Sequence, residues 1–286
     1  MKRVSRDHTV PCDKRYKVFE PVAEVDLGET FVVETINFRT PIIRTPADVA
    51  PAQYREREET GPIFVKGIAA GDVLAVHVED IRIEGHASGA AADETGRGSF
   101  LEVADDKVHF PGGLWAPTHF MVGDIYVTPD RWPGSNPHDN GGNMDVRDVC
   151  AGHALLLRAW MDGGLLVLGD VHACQGDGEL SVCAAECAAE VTVRITKDQT
   201  YLPLRPMVAK PGGIVCIASR GDYAEACELA CADAAEIVCR LKGCTRGEAA
   251  LYVKTVGHLR NGGIWMMMGE PNPDCPPTVC LDVPVC

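Results

Sequence analysis

The feature that most constrains this chain is a series of short segments rich in valine and isoleucine, separated by Gly-Asp, Pro-Gly and Asn-Gly turns, that continues to about residue 200. In residues 73–83 the second half alternates apolar and polar side chains, as a half-buried strand does. Residues 31–36, 165–172 and 190–195 are further segments of this kind. Because such strands follow one another without intervening helices, they favour a β-sandwich or barrel-like architecture.

The pattern changes after Ala218. Residues 223–241 and 248–259 have helical spacing, and Thr245 with Glu248 three positions later is a capping-box signal for the start of the second helix. A proline-rich stretch, residues 270–277, leads into a last predicted strand at 279–285. We therefore predict a mainly β fold with a smaller α+β portion. Residues 1–200 are expected to form a β-rich domain that carries the functional site, and residues 201–286 a small α+β portion with two helices that packs on it.

Charge and cysteine content narrow the function classes. A formal net charge of −14 without a basic cluster argues against a nucleic-acid partner. No segment is long and apolar enough to span a membrane, and residues 1–7 carry positive charge without an apolar stretch behind them. Thirteen cysteines in a chain without an export signal are interpreted as reduced thiols. We expect a cytoplasmic protein with neither nucleic-acid nor membrane partners.

Acidic residues and histidine are concentrated between Gly141 and Glu179. Asp170 and His172 are two positions apart on a predicted strand, so their side chains leave the same face and can approach one ion. Asp145 belongs to a separate strand and would add a carboxylate. Carboxylates with one imidazole suit Zn²⁺, or Ca²⁺ or Mn²⁺ where carboxylate and water dominate the ligand set. We predict a divalent metal, zinc first, bound by Asp145, Asp170 and His172.

The glycines at 176 and 178 predict a sharp reversal that returns Glu179 toward the same point. A metal site with an open position lowers the pKa of bound water, and a nearby carboxylate then serves as general base. Glu179 is our candidate for this role. Asn143 and the backbone amides of Gly141 and Gly142 are candidate donors to the substrate oxyanion.

Other interpretations of the same residues compete with this one. Asp72, Asp124 and Asp177 are interpreted as turn formers, and Asp170 after a glycine can simply end a strand. Cys174, between His172 and Gly176, is the best candidate for a nucleophilic thiol. A third possibility is a protein that keeps the scaffold and its ion for stability or small-molecule binding without catalysis.

The residues of this region resemble the acetamidase/formamidase family, whose members carry Gly-Gly-Asn-Met/Leu-Asp followed by Gly-Asp-x-His-Ala-x-Gln-Gly-Asp-Gly-Glu. Both segments are present, at residues 141–145 and 169–179, and residues 60–74 resemble the family's Thr-Gly-Pro-Ile strand and the Gly-Asp strand after it. The resemblance implies a β-rich fold, hydrolysis of a small linear amide to carboxylate and ammonia, a divalent metal, and a homo-oligomer, expected to be a dimer. Lys66 and Asn140 depart from the pattern, standing where the family has an acidic residue and a histidine.

Overall fold

The computed structural model describes residues 1–11, 20–37, 41–49, 58–90, 98–129, 136–180, 183–264 and 276–285. The strands of the first half of the chain are β1 (Lys2–Val4), β2 (Thr9–Pro11), β3 (Ala23–Asp26), β4 (Thr30–Glu34), β5 (Glu58–Lys66), β6 (Val73–Gly89), β7 (Ser99–Ala104), β8 (Lys107–His109), β9 (Trp115–Pro117) and β10 (Met121–Val127). Those of the second half are β11 (Gly141–Asn143), β12 (Ala154–Arg158), β13 (Leu166–His172), β14 (Glu186–Lys197), β15 (Met207–Lys210), β16 (Gly213–Ser219), β17 (His258–Asn261) and β18 (Thr278–Pro284). Helices α1 (Tyr223–Lys242) and α2 (Arg246–Val256) separate β16 from β17, and short 3-10 segments lie at Pro46–Val49 and Pro111–Gly113.

The two longest strands, β6 and β14, form the centre of the sheet. They pair antiparallel from Glu186 to Lys197 of β14. The other edge of β14 pairs first with β13 and then with β4. The first four residues of β14 are all buried, and from Ala189 on its side chains alternate between buried and partly exposed, because one face of the sheet covers the core. Within the described residues the strand pairings are antiparallel except β1 with β4 and β3 with β5.

Strand β13 connects the central pair to the strands that carry the acidic motifs. It pairs with β14 at its end, with β10 along most of its length, and with β5 near its start. Strand β11 lies on the far edge of β10, where Asn143 is opposite Asp124. The two sequence motifs of residues 141–145 and 169–179 are therefore both attached to β10 and end close to each other.

The helices cover a second apolar core on the sheet of β15, β16 and β18. Asp222 caps the N-terminus of helix α1, because its side chain accepts hydrogen bonds from the amides of Ala224 and Glu225, and the helix buries alanines at four-residue spacing. These are Ala226, Ala230 and Ala234. Because their side chains are small, the helix axis lies close to the strands. No helix in the described part of the chain is long and apolar enough to span a membrane.

The predicted fold class, mainly β with two helices near the C-terminus, is confirmed. The capping box at Thr245 and Glu248 is also present. The second helix was predicted to run to residue 259 but ends at Val256, because residues 258–261 pair with β18 instead. Buried cysteines within the described ranges, among them Cys150, Cys187, Cys216 and Cys280, carry free thiols. Most of the proline-rich stretch lies outside the described residues, and the division near residue 200 stays a prediction.

Candidate metal and active site

The register of two neighbouring strands brings a histidine and a carboxylate together. His172 on β13 lies directly opposite Glu186 at the start of β14, and its Nε2 is 3.0 Å from the Glu186 carboxylate. The Asp170 carboxylate, from the same strand as His172, lies 3.6 Å from the same nitrogen. His172 is fully buried and Glu186 nearly so. The imidazole therefore faces two carboxylates in a site shielded from water.

Two more carboxylates complete this cluster from the loops after β11 and β13. Asp145 joins Asp170 and His172, and Glu179 joins His172 and Glu186, in two groups whose potential ligand atoms lie within 4.8 Å of one another. Asp145 is fully buried and Glu179 almost so. The structure thus brings together all four carboxylate and imidazole residues that the sequence singled out, and adds Glu186.

A glycine makes room for the carboxylates. A β-carbon on Gly123 of β10 would lie 2.6 Å from Oδ1 of Asp145 and 3.0 Å from Oδ2 of Asp170. Such distances are shorter than van der Waals contact allows, so any larger residue at this position would displace one of the carboxylates. On the other side, a β-carbon on Gly263 would lie 2.8 Å from Oδ2 of Asp145. Asp145 is therefore enclosed between two chain segments that approach closely because they lack side chains.

The far side of the imidazole is held by Gln175. Its Oε1 lies 2.6 Å from Nδ1 of His172, and its Nε2 donates to the backbone carbonyl of Asp145 at 2.6 Å. Because Nε2 of the amide must donate to that carbonyl, Oε1 is the atom that faces the histidine, and it can only accept. Nδ1 of His172 consequently carries a hydrogen, which leaves Nε2 of the neutral imidazole with a lone pair directed at the carboxylates.

The electrostatics of the cluster reflect crowded negative charge. Burial raises the pKa of Glu179 well above its usual value, and the neighbouring Asp145 carboxylate adds to the shift. Burial likewise raises the pKa of Glu186 to about 7, assisted by Asp170. For His172, burial alone lowers the pKa, but the attraction of Glu186 and Asp170 outweighs it and the pKa is raised well above the usual value. Without a cation, then, the cluster holds protons that it would not hold in water.

The turn that carries Glu179 is tied to the C-terminal part of the chain. Gly178 adopts a φ of 96°, a left-handed conformation that favours glycine, and the amide of Glu179 donates to the carbonyl of Gly176 at 3.2 Å. The carbonyl of Gly178 accepts from the amide of Ile264 at 2.9 Å, and the Gly263 amide donates to Met144 at 2.9 Å. The predicted reversal is therefore present, and residues 263–264 connect it to the segment of Asp145.

Asp177, at the tip of this turn, contacts two arginines. Its carboxylate lies 3.5 Å from Arg260 of β17 and 3.9 Å from Arg147. Arg260 also pairs with Asp148, which accepts a hydrogen bond from Lys210 at 3.1 Å. This ion-pair network joins the turn to the sheet beneath the helices.

The residues assigned to substrate binding lie on β11. Gly142 and Asn143 are in register with Ile125 and Asp124 of β10, and Asn143 is largely buried. The amide of Gly141 donates to the carbonyl of His138 at 3.1 Å, so it already has a partner. The roles of Asn143, Gly141 and Gly142 stay predictions.

At the two departures from the family pattern, Asn140 and Lys66 contact residues that do not belong to the cluster. The side-chain amide of Asn140 is fully buried and donates to the carbonyl of Val127 at 2.9 Å, which makes it a structural residue beside β10. Lys66 is about half exposed at the end of β5, where it lies 3.6 Å from Glu24 and from Asp26.

Cys174, the alternative nucleophile, is partly buried against the main core. Burial raises the pKa of its thiol, with opposite contributions from His172 and Arg147 that do not cancel the shift. A raised pKa reduces the fraction of thiolate, which is the nucleophilic form. The environment of Cys174 thus disfavours thiol catalysis.

Three residues near the cluster were missed or misinterpreted in the sequence. Asp124 was interpreted as a turn former, which is wrong, because it is fully buried within β10. Glu186 received no role, since the strand was predicted to begin only at residue 190. Gln175 lies inside the predicted motif, but its spacing from His172 carries no signal for a contact between the two side chains.

A cavity of about 780 Å³ opens in front of the cluster. Gln175 and Glu179 form part of its wall, so Glu179 connects the buried carboxylates with space that a small molecule can enter. Arg147 and Cys174 also line it.

Comparison with known proteins agrees with the resemblance in the sequence. The model of the acetamidase/formamidase family matches residues 133–215, which include the whole cluster. A Schizosaccharomyces pombe protein named “putative formamidase” is 25% identical over 250 residues, which are 61% of this chain and 61% of that protein. The chain thus spans less than two thirds of the length of this curated relative.

Solved structures match along nearly the entire chain. An acetamidase from Bacillus halodurans is 24% identical with a TM-score of 0.86, covering 99% of this chain and 97% of that one. A protein from Thermoanaerobacter tengcongensis, described as a predicted acetamidase/formamidase, is 26% identical with a TM-score of 0.85, covering 99% and 95%. The resemblance to the acetamidase/formamidase family is confirmed.

Proposed function

We propose that this relative of the acetamidase/formamidase family hydrolyses an amide to a carboxylate and ammonia, using a divalent cation held by Asp145, Asp170 and His172. The observation that carries the proposal is the buried cluster of carboxylates around Nε2 of His172, which Glu179 connects to a cavity. The names of the relatives support the reaction class.

The donor set fits a cation on chemical grounds. The four carboxylates lie in two groups that share His172, with potential ligand atoms within 4.8 Å of one another inside each group, so they repel each other, and burial penalises each charge further. A divalent ion would offset both effects and release the protons that the cluster otherwise retains. Nε2 of His172, whose lone pair is directed at the carboxylates, would be the nitrogen ligand. Glu186 is an additional ligand candidate from the same cluster.

When bound, such an ion would polarise the amide carbonyl and lower the pKa of a water molecule beside it. A mixed set of one imidazole and several carboxylates suits zinc, and calcium and manganese are the alternatives that metal analysis distinguishes. Proton transfer and stabilisation of the oxyanion are assigned to side chains of the protein.

Glu179 is the general base in this proposal. Its carboxylate lies at the edge of the cluster and faces the cavity, where it can accept a proton from a water molecule in front of the cluster. It takes a proton from water as the new carbon–oxygen bond forms, and it delivers that proton to the amide nitrogen as the carbon–nitrogen bond breaks. One amide and one water thus give one carboxylic acid and one ammonia, and Glu179 returns to its starting state.

Asn143 is proposed to stabilise the developing oxyanion. Asn143 lies on β11 opposite Asp124, two residues before Asp145 along the chain. A side-chain amide can donate to an oxygen as negative charge accumulates on it, and such donors act most strongly in buried sites.

We also propose that the protein works as a cytoplasmic homodimer. Analytical ultracentrifugation tests the number of subunits, and cell fractionation tests the location.

The decisive experiment measures ammonia release from a panel of amides on protein of known metal content, with and without chelator. We expect release that chelation abolishes and that the divalent ion restores. Release that persists after complete removal of metal would contradict the metal-dependent mechanism.

The same protein samples test a purely stabilising role of the ion. Stoichiometric metal that raises the melting temperature, combined with no hydrolysis of any amide, would favour a binding protein that uses the ion for stability. Activity loss in Cys174→Ala, with its metal content intact, would favour thiol catalysis instead.

A further inference from the structure

The cavity in front of Glu179 is much larger than the smallest amides. Its volume is about 780 Å³, within the roughly 300–1,000 Å³ of pockets that hold drug-sized ligands. Formamide and acetamide occupy only a few times the ~30 Å³ that one water molecule takes up in the liquid. Either substrate would leave most of this space to solvent and would contact only the end of the cavity near Gln175 and Glu179.

The wall away from Glu179 is apolar. Two parts of the chain form this apolar wall. The first consists of strands β7 and β9 with the 3-10 segment before β9, and the second consists of the segments on either side of residues 181–182. The side chains that face the space are mainly Leu101, Phe110, Pro111, Ala116, Pro117 and Leu180. A wall of this kind binds a ligand by removing apolar surface from water, which is worth about fourfold in affinity for each buried methylene.

The charges in the wall are compensated. Arg147 lines the cavity and lies 3.9 Å from Asp177, which is also in the wall and is held by Arg260. The one other basic side chain among the described wall residues is His119, whose Nε2 lies 2.9 Å from the carbonyl of Arg147. Apart from the proposed base Glu179, neither sign of charge dominates among the described wall residues, so the wall gives no preference for a charged acyl group.

We infer that the preferred substrate is a neutral primary amide with an apolar acyl group, aliphatic or aromatic, of about five to eight carbon atoms. The acyl group fills the cavity, and the carboxamide lies at Glu179. This inference rests on the proposed function. It specifies the substrate class of the same site: the carboxamide end is common to all amides, and the apolar wall selects among them by the length of the acyl group.

The test compares kcat/KM for formamide, acetamide, hexanamide and phenylacetamide on the metal-loaded protein. We expect hexanamide and phenylacetamide to exceed acetamide by at least about tenfold, since several methylenes are buried in each case. Hydrolysis of formamide and acetamide with equal or lower kcat/KM for the longer amides would overturn the inference and leave the proposed function intact.

If the metal-loaded protein hydrolyses none of these amides, the proposed function fails, and calorimetric binding then decides the inference separately. Tighter binding of phenylacetamide than of acetamide would support the apolar site. Absence of phenylacetamide binding would overturn it.

Two pairs of variants assign the effect to the wall. Leu180→Asn removes an apolar side chain at the cavity, and Leu114→Asn is its control, because both leucines are similarly exposed, at 66% and 69%, and Leu114 is outside the wall. Ala116→Phe fills part of the cavity, and Ala104→Phe is its control in the same small sheet but outside the wall.

Both wall variants should lower the ratio of kcat/KM for hexanamide to that for acetamide by at least about fivefold, which corresponds to one or two methylenes of lost contact. The controls should keep the wild-type ratio. An unchanged ratio in Leu180→Asn and Ala116→Phe, with both proteins folded, would contradict the assignment of the acyl group to this cavity.

Discussion

Gln175 fixes the orientation of the His172 imidazole, with its Oε1 2.6 Å from Nδ1 of the ring. The same side chain donates to the carbonyl of Asp145, so one amide group links two of the candidate metal ligands. A hydrogen bond to the side of a histidine that faces away from the metal position holds the ring in the orientation needed for binding. It also raises the basicity of the imidazole.

Replacement of Gln175 by Met should therefore weaken metal binding by about 10–100-fold while the fold is kept. Methionine has a similar length but cannot hold the imidazole or donate to Asp145. Metal affinity measured by competition with a chromogenic chelator checks this. Wild-type affinity in Gln175→Met would show that the orientation of His172 does not depend on this contact.

Glu179→Gln should retain metal and stability but lose activity by about 10²–10⁴-fold, because the amide cannot accept the proton of water. Glu102→Gln, an exposed change on β7, is the matched control and should behave as wild type. Steady-state kinetics and metal analysis on the same samples separate the two effects. A Glu179→Gln protein with full turnover would remove this residue from the mechanism.

Gly123→Ala should abolish metal binding, since its β-carbon would lie 2.6 Å from Oδ1 of Asp145 and force that carboxylate away. Gly247→Ala, in the first turn of α2, introduces the same methyl group where no atom lies within 4 Å. The control protein should bind metal normally and gain roughly 0.5–1 kcal/mol of stability from alanine in a helix. Inductively coupled plasma analysis of both purified proteins gives the answer, and an equal metal content would contradict the close-approach argument.

Asp148 should contribute to stability in a pH-dependent way. Burial alone raises the pKa of Asp148, but Arg260 and Lys210 outweigh it and hold the pKa below its usual value. A carboxyl whose pKa is depressed by folding stabilises the folded state above its unfolded pKa of about 3.9, and this contribution is lost as the pH falls through the lower folded value.

We expect Asp148→Asn to cost about 1.5–3 kcal/mol at pH 7, the range for hydrogen bonds to charged groups, and progressively less as the pH falls below the unfolded pKa. Asp80→Asn is the control. Its pair with Arg82 is exposed and should contribute about 0–1 kcal/mol. Urea unfolding of the three proteins across this range measures the difference, and a cost that stays constant with pH would argue against the ion-pair network as its source.

Local pattern predicted most of the fold. The alternation in residues 73–83 and 190–195 identified parts of β6 and β14, and the helical spacing with Thr245 and Glu248 identified the second helix. These features depend on neighbours in the chain. The end of that helix depends on the pairing of residues 258–261 with β18, a partner more than fifteen residues away, and the sequence gives no local sign of it.

At the candidate site, too, features set by local sequence were predictable and features set by pairing between distant strands were not. Asp170 and His172 share a face because of their two-residue spacing, and the glycine at 178 predicted the turn before Glu179. Glu186 approaches His172 only through the register of β13 with β14, and Asp124 lies on an interior strand that pairs with β11 at one edge and β13 at the other. Register between separate strands is a property of the assembled sheet, so these two residues could not be assigned from spacing.

The contact of residues 263–264 with Asp145 and with the turn of Glu179 has a consequence for biosynthesis. The motifs at 141–145 and 169–179 leave the ribosome well before Gly263 and Ile264, which hold the two motifs against each other. A nascent chain that ends between Glu179 and Gly263 carries the candidate ligand residues without the segment that closes the site. Uptake of the proposed ion would thereby be delayed until Gly263 and Ile264 have been synthesised, and fragments released by premature termination or proteolysis before Gly263 would not retain it.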